Sequence, residues 1–115
     1  MTYALGLGSN LGDRDGYLRM AEEGLRELGP VVVSSYHETE PVGPPQPMYL
    51  NAAAIVECEL DPPALHAFCK QLEARAQRER GDHWGPRTLD VDVLLCDGRE
   101  FESATLRIPH PGLPE

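Results

Sequence analysis

Between His37 and Met48 the chain carries Pro41, Pro44, Pro45 and Pro47 together with Gly43, and no other stretch restricts its fold as strongly. Each proline removes a backbone donor and fixes φ, so neither a helix nor a central strand can pass through. A stiff loop is predicted there, with regular elements on either side of it. On the N-terminal side, Tyr3 to Leu7 is a short apolar strand that runs into the turn residues Gly8, Ser9, Asn10 and Gly12. Their glycines are expected at positive φ, with Ser9 and Asn10 bonding local backbone. Leu18, Ala21, Leu25 and Leu28 then recur at helical spacing up to the stop at Gly29-Pro30, and Val31 to Tyr36 is a second strand.

Beyond the loop, Leu50, Ala52, Ala54, Val56, Cys58 and Leu60 alternate as a third strand. Asp61 followed by Pro62 is an N-cap and first-turn proline, and Leu65, Phe68, Cys69, Leu72 and Ala76 continue a second helix on one face. That helix fades in the polar stretch 78–83, and Thr88 to Cys96 forms a fourth strand. Phe101 and the run Leu106 to Ile108 leave room for a small peripheral strand. The order β-α-β-β-α-β predicts an α+β fold, an antiparallel sheet with two helices packed on one face. A chain of 115 residues holds one such core, so a single domain over 1–115 is expected.

Charge narrows the function. Ten Lys and Arg against nineteen Asp and Glu give a formal charge of -9, which opposes attraction to nucleic acid or to an anionic membrane. The strands also lack the basic-aromatic motif of an RNA-recognition sheet. No apolar run approaches the ~20 residues of a bilayer span, and the N-terminus has no signal-peptide pattern, so a cytoplasmic protein acting on small molecules is expected. Cys58, Cys69 and Cys96 are widely spaced and form no C-x-x-C pair, so no disulfide framework is expected, and Cys58 and Cys69, inside apolar periodic segments, are expected to act as small core hydrophobes rather than nucleophiles.

The segment Trp84-Gly85-Pro86-Arg87-Thr88-Leu89-Asp90-Val91-Asp92-Val93-Leu94-Leu95 is richest in chemistry. Side chains two apart share a strand face, so Asp90 and Asp92 project together while Leu89, Val91, Val93 and Leu95 point into the opposite layer. Two adjacent carboxylates call for a cation, and an oxygen-only pair suits magnesium, which completes its shell with water and substrate phosphates. Beside them Arg75, Arg78, Arg80 and Arg87 face only Glu79 and Asp82, a local net charge of +2 in an acidic protein. Arginine forks fit phosphate oxygens, although a solvated face of arginine-aspartate pairs satisfies the same residues. The loop from Thr39 to Asn51 joins a rigid backbone to a few directed polar groups. The Asn51 amide and the Tyr49 ring suit a planar polar ligand, and a purely structural loop remains the competing reading.

Four blocks occur in order: Gly8-Ser9-Asn10-Leu11-Gly12-Asp13; Thr39 to Asn51 with its Pro-x-Gly and Tyr-Leu-Asn; Trp84 to Asp92; and Pro109-His110-Pro111. Together they resemble the 6-hydroxymethyl-7,8-dihydropterin pyrophosphokinase family of folate biosynthesis, and the W-G-P-R-T-L-D-V-D block is the most specific. The resemblance implies a ferredoxin-like α+β core. It also implies transfer of the β,γ-pyrophosphoryl group of ATP to the pterin hydroxymethyl oxygen, with release of AMP. Asp90 and Asp92 would hold two magnesium ions, and Asp92, Arg78, Arg80 and Arg87 would be the catalytic set. ATP would meet Arg78, Arg80, Trp84, Arg87, Ile108 and His110, and the pterin would meet Thr39, Val42, Tyr49 and Asn51.

Two departures stand out. The loop between Glu73 and Trp84 is one residue shorter than in several relatives, with Gln77 where a glycine often precedes the first loop arginine. Relatives also continue for about a quarter of their length beyond the Pro-His block. The expectation is therefore a domain without the usual C-terminal segment and the aromatic that would face Tyr49 across the pterin. The alternative function is a non-catalytic nucleotide- or pterin-binding domain. The sequence leaves the oligomeric state open.

Overall fold

A computed structural model of the chain describes residues 1–40, 47–80, 88–97, 101–102 and 107–108. Its elements are β1 (Thr2–Ser9), α1 (Arg14–Arg26), β2 (Val31–Val33), β3 (His37–Thr39), β4 (Tyr49–Glu57), α2 (Pro62–Arg80), β5 (Asp90–Cys96), β6 (Phe101–Glu102) and β7 (Arg107–Ile108). The main sheet runs β2-β4-β1-β5, with β3 added to β4, and every pairing is antiparallel. Leaving aside β3 and the small β6-β7 pair, this is the ferredoxin-like arrangement expected from the element order.

Both helices begin where their caps dictate. The Asp13 carboxylate accepts from the Gly16 amide at 3.1 Å, and Asp61 accepts from Ala64 at 3.0 Å. One face of each helix then packs on one face of the sheet. Tyr3, Leu5 and Leu7 of β1, Leu18 and Leu25 of α1, and Leu65, Cys69 and Leu72 of α2 are all 2% exposed or less. The helices themselves approach closely at Gly24, where a Cβ would stand 2.6 Å from Leu72 Cδ2. No helix among the described residues is long and apolar enough to cross a membrane.

Three expectations need correction. The predicted second strand, Val31 to Tyr36, ends at Val33, and a further short strand follows it. His37–Thr39, assigned to the proline loop, pairs with Asn51, Leu50 and Tyr49 of β4. It can do so because it precedes the first proline and keeps its donors. The glycine run is also more regular than predicted: β1 extends through Gly6 and Gly8 to Ser9, and in that run only Gly12 (φ 74°) is left-handed. Finally, strict alternation fails in β5. Val93 pairs with Leu5 but Leu95 pairs with Ala4, a one-residue bulge at Leu94. The extra residue reverses the faces, so Cys96 is buried and Leu95 is exposed.

Candidate active site on the open sheet face

The sheet face away from the helices holds the site, and β1 forms its floor. Ala4, Gly6 and Gly8 alternate with the buried Tyr3, Leu5 and Leu7, so the centre of this face carries no side chain larger than a methyl. On one flank, Asp92 lies opposite Gly6 and Asp90 opposite Gly8. On the other, Asn51 lies opposite Gly8 and Ala53 opposite Gly6. The result is a cleft of about 460 Å³ lined by Gly6, Gly8, Thr39, Tyr49, Asn51, Asp90 and Asp92, among others. Its depth follows from the glycines, since a Cβ at Gly8 would come 3.3 Å from Asn51 Oδ1 and 3.5 Å from the Tyr49 ring.

The wall opposite the acids is braced. Asn51 Nδ2 donates to Thr39 Oγ1 at 2.6 Å, which ties β3 to β4 and turns the amide oxygen toward the floor. Asn10, expected to bond local backbone, instead donates across the fold to the Pro47 carbonyl at 3.1 Å. Arg14 donates to the Met48 carbonyl at 2.9 Å and pairs with Glu38 at 2.8 Å. Ser9 does bond locally, to the Leu11 carbonyl at 3.5 Å. The glycine-rich segment therefore acts as a clamp on the approach to Tyr49 and Asn51, a role that spacing did not disclose.

Of the predicted site residues, Thr39, Tyr49, Asn51, Asp90 and Asp92 line one cleft. Ile108 does not, because its side chain is 2% exposed within the core cluster. Val42, Trp84, Arg87 and His110 lie outside the described residues, as do the side chains of Arg78 and Arg80 in the last turn of α2. The three cysteines are buried and unbridged. Burial and the nearby Glu73 carboxylate push the Cys69 thiol up to about 12, so it stays protonated and supplies no nucleophile. Among the described residues no cluster of three or more His, Cys, Asp or Glu forms a ready metal cage. The sparse Asp90-Asp92 pair instead fits an ion that takes one or two protein carboxylates and leaves its other positions to water and substrate oxygens.

Glu73 went unrecognised. It is an acid on the buried stripe of α2, four residues after Cys69 and three before Ala76, and only 5% exposed. That interruption of an apolar face was the available signal. Its carboxylate accepts from the Val91 amide at 2.8 Å and from Lys70 Nζ at 3.1 Å.

Fold and cleft define an α+β protein with a candidate small-molecule site on an open sheet face, acids on one wall and an amide-aromatic pair on the other. Comparison with known proteins makes the class specific. The profile described as 7,8-dihydro-6-hydroxymethylpterin-pyrophosphokinase matches residues 4–115. The 2-amino-4-hydroxy-6-hydroxymethyldihydropteridine pyrophosphokinase of Bacillus subtilis (strain 168) is 41% identical over 115 residues, 96% of this chain and 69% of the relative. The proteins of the same name from Synechocystis and Methylorubrum extorquens are 37% and 39% identical; the matches cover 93% and 92% of this chain and 56% and 70% of those relatives. The chain belongs to the hydroxymethyldihydropterin pyrophosphokinase family, whose activity is ATP-dependent pyrophosphoryl transfer to hydroxymethyldihydropterin in folate biosynthesis.

Proposed function

We propose that this cleft carries out the family reaction, taking the β,γ-pyrophosphoryl group of ATP onto the hydroxymethyl oxygen of the reduced pterin and releasing AMP. One observation supports it above the rest: Asp90 and Asp92 stand beside a floor of bare glycine, facing Asn51, Thr39 and Tyr49. In this reading the Asn51 amide and nearby backbone read the hydrogen-bonding edge of the pterin while Tyr49 covers a ring face. Gly6 and Gly8 let the ligand approach the strand backbone. Thr39 lines the same cleft, and the assignment of Val42 to the pterin rests on the sequence block that carries it.

Asp90 and Asp92 would hold two magnesium ions, which neutralise triphosphate charge when bound. Asp92 also takes the proton released by the hydroxymethyl oxygen. Arg87, Trp84 and His110, together with Arg78 and Arg80, serve the triphosphate and nucleotide, an assignment that rests on the family resemblance of the sequence. Catalysis is then mostly alignment and charge stabilisation of an in-line displacement.

Formation of AMP from ATP, the hydroxymethyl pterin and magnesium tests the reading. Activity in the parent, with a loss of about a hundredfold or more in Asp90→Asn and in Asp92→Asn, is expected. Nucleotide binding without AMP would favour a non-catalytic binding domain. Slow turnover in Asp92→Asn with metal still bound would identify Asp92 as the proton acceptor, and unchanged turnover would remove that role.

A further inference from the structure

We infer that Glu73 is a positioning residue for the two aspartates, anchoring the outer edge of β5 at the one backbone amide between them. The inference rests on the proposed role of Asp90 and Asp92 as metal ligands. Among the described residues β5 pairs only with β1, and on its other edge the outward amides have no ladder partner among them. The Val91 amide is one of these. It donates at 2.8 Å to Glu73 Oε2, a carboxylate 5% exposed on α2, while Oε1 is held by Lys70 at 3.1 Å.

Alternation in an antiparallel ladder turns the Asp90 and Asp92 amides the other way, toward β1 opposite Gly8 and Gly6. Three successive backbone amides are thus aimed at fixed partners, and the spacing of the two carboxylates along the strand is set by that backbone. A hydrogen bond to a buried acceptor whose side chain is also held at its other oxygen is a stiff support. If it is lost, the edge can twist and the carboxylates diverge. Partners that orient metal ligands without touching the metal typically change affinity by about tenfold to a hundredfold when removed.

Reach, rather than charge, is what this role requires. Glu73→Gln keeps an acceptor at the same distance from Val91, whereas Glu73→Asp keeps the charge but draws it back by one methylene. The measurement is Mn²⁺ binding by electron paramagnetic resonance in the presence of a non-hydrolysable triphosphate analogue, together with hydrogen exchange at the Val91 amide. Affinity in Glu73→Gln is expected to stay within about threefold of the parent. In Glu73→Asp it is expected to fall by about tenfold or more, with Val91 exchange accelerating in step. Leu65→Ala, a cavity in the core under the same helix, controls for general loosening and is expected to lower the melting temperature without weakening Mn²⁺ binding.

Equal affinity in both Glu73 variants, the reverse order, or an equal loss in Leu65→Ala would overturn the inference. A parent that binds no Mn²⁺ overturns the metal assignment itself, a different result from a parent that binds and variants that bind alike.

Discussion

The two faces of β1 divide the work of the molecule by side-chain size. Tyr3, Leu5 and Leu7 are almost completely buried beneath α1 and α2, and they fill the core. Between them Ala4, Gly6 and Gly8 present almost nothing, and that emptiness is the cleft floor. The same eight residues therefore build stability by what they fill and a site by what they omit. Substitutions on the two faces should accordingly fail in different assays.

The largest effect is expected on the filled face. Leu5→Ala removes a fully buried side chain, and such truncations cost about 2–5 kcal/mol. Chemical denaturation should show this loss, while kcat/KM per folded molecule stays within about twofold. A large fall in kcat/KM with unchanged stability would break the division between the faces. On the empty face, Gly8→Ala adds one methyl in extended backbone that accepts it. That methyl meets Asn51 Oδ1 at 3.3 Å and the Tyr49 ring at 3.5 Å. The pterin KM should rise about tenfold through displacement of those two groups, with a melting temperature shifted by only a few degrees. Steady-state kinetics at saturating ATP reads the first and a thermal melt the second.

How much of this was readable beforehand follows from the range of the interactions. Asp61-Pro62 marked the start of α2, and the alternation around Asp90 and Asp92 put both acids on one face, because caps and strand period are local properties. The order of elements gave the sheet. The bulge at Leu94 was hidden because it depends on how β5 meets β1, and nothing in Val93-Leu94-Leu95 distinguishes a bulge from a regular strand. Asn10 and Glu73 were hidden for the same reason. Their partners, Pro47 and Val91, lie 37 and 18 residues away and accept or donate through backbone, which leaves no mark on the partner's residue type. Gly8 was visible but read as a turn residue, since glycine in a turn and glycine as an absent side chain look alike in sequence.

The smallest effect belongs to the far end of the open face, where β2, β4, β1 and β5 align Val32, Ile55, Ala4 and Leu95 across the sheet. Val32 is 71% exposed, Ile55 45% and Leu95 39%, so this apolar row contributes little burial. It also lies outside the cleft lining. Ile55→Thr keeps a β-branched side chain suited to a strand and changes mainly what water meets. Stability should move by about 0.5 kcal/mol or less, with turnover unchanged. A loss of about 2 kcal/mol in denaturant titration would show that the row is covered rather than open. Only the glycine end of the second face would then be bare, and the chain would pack on both sides of its sheet everywhere else.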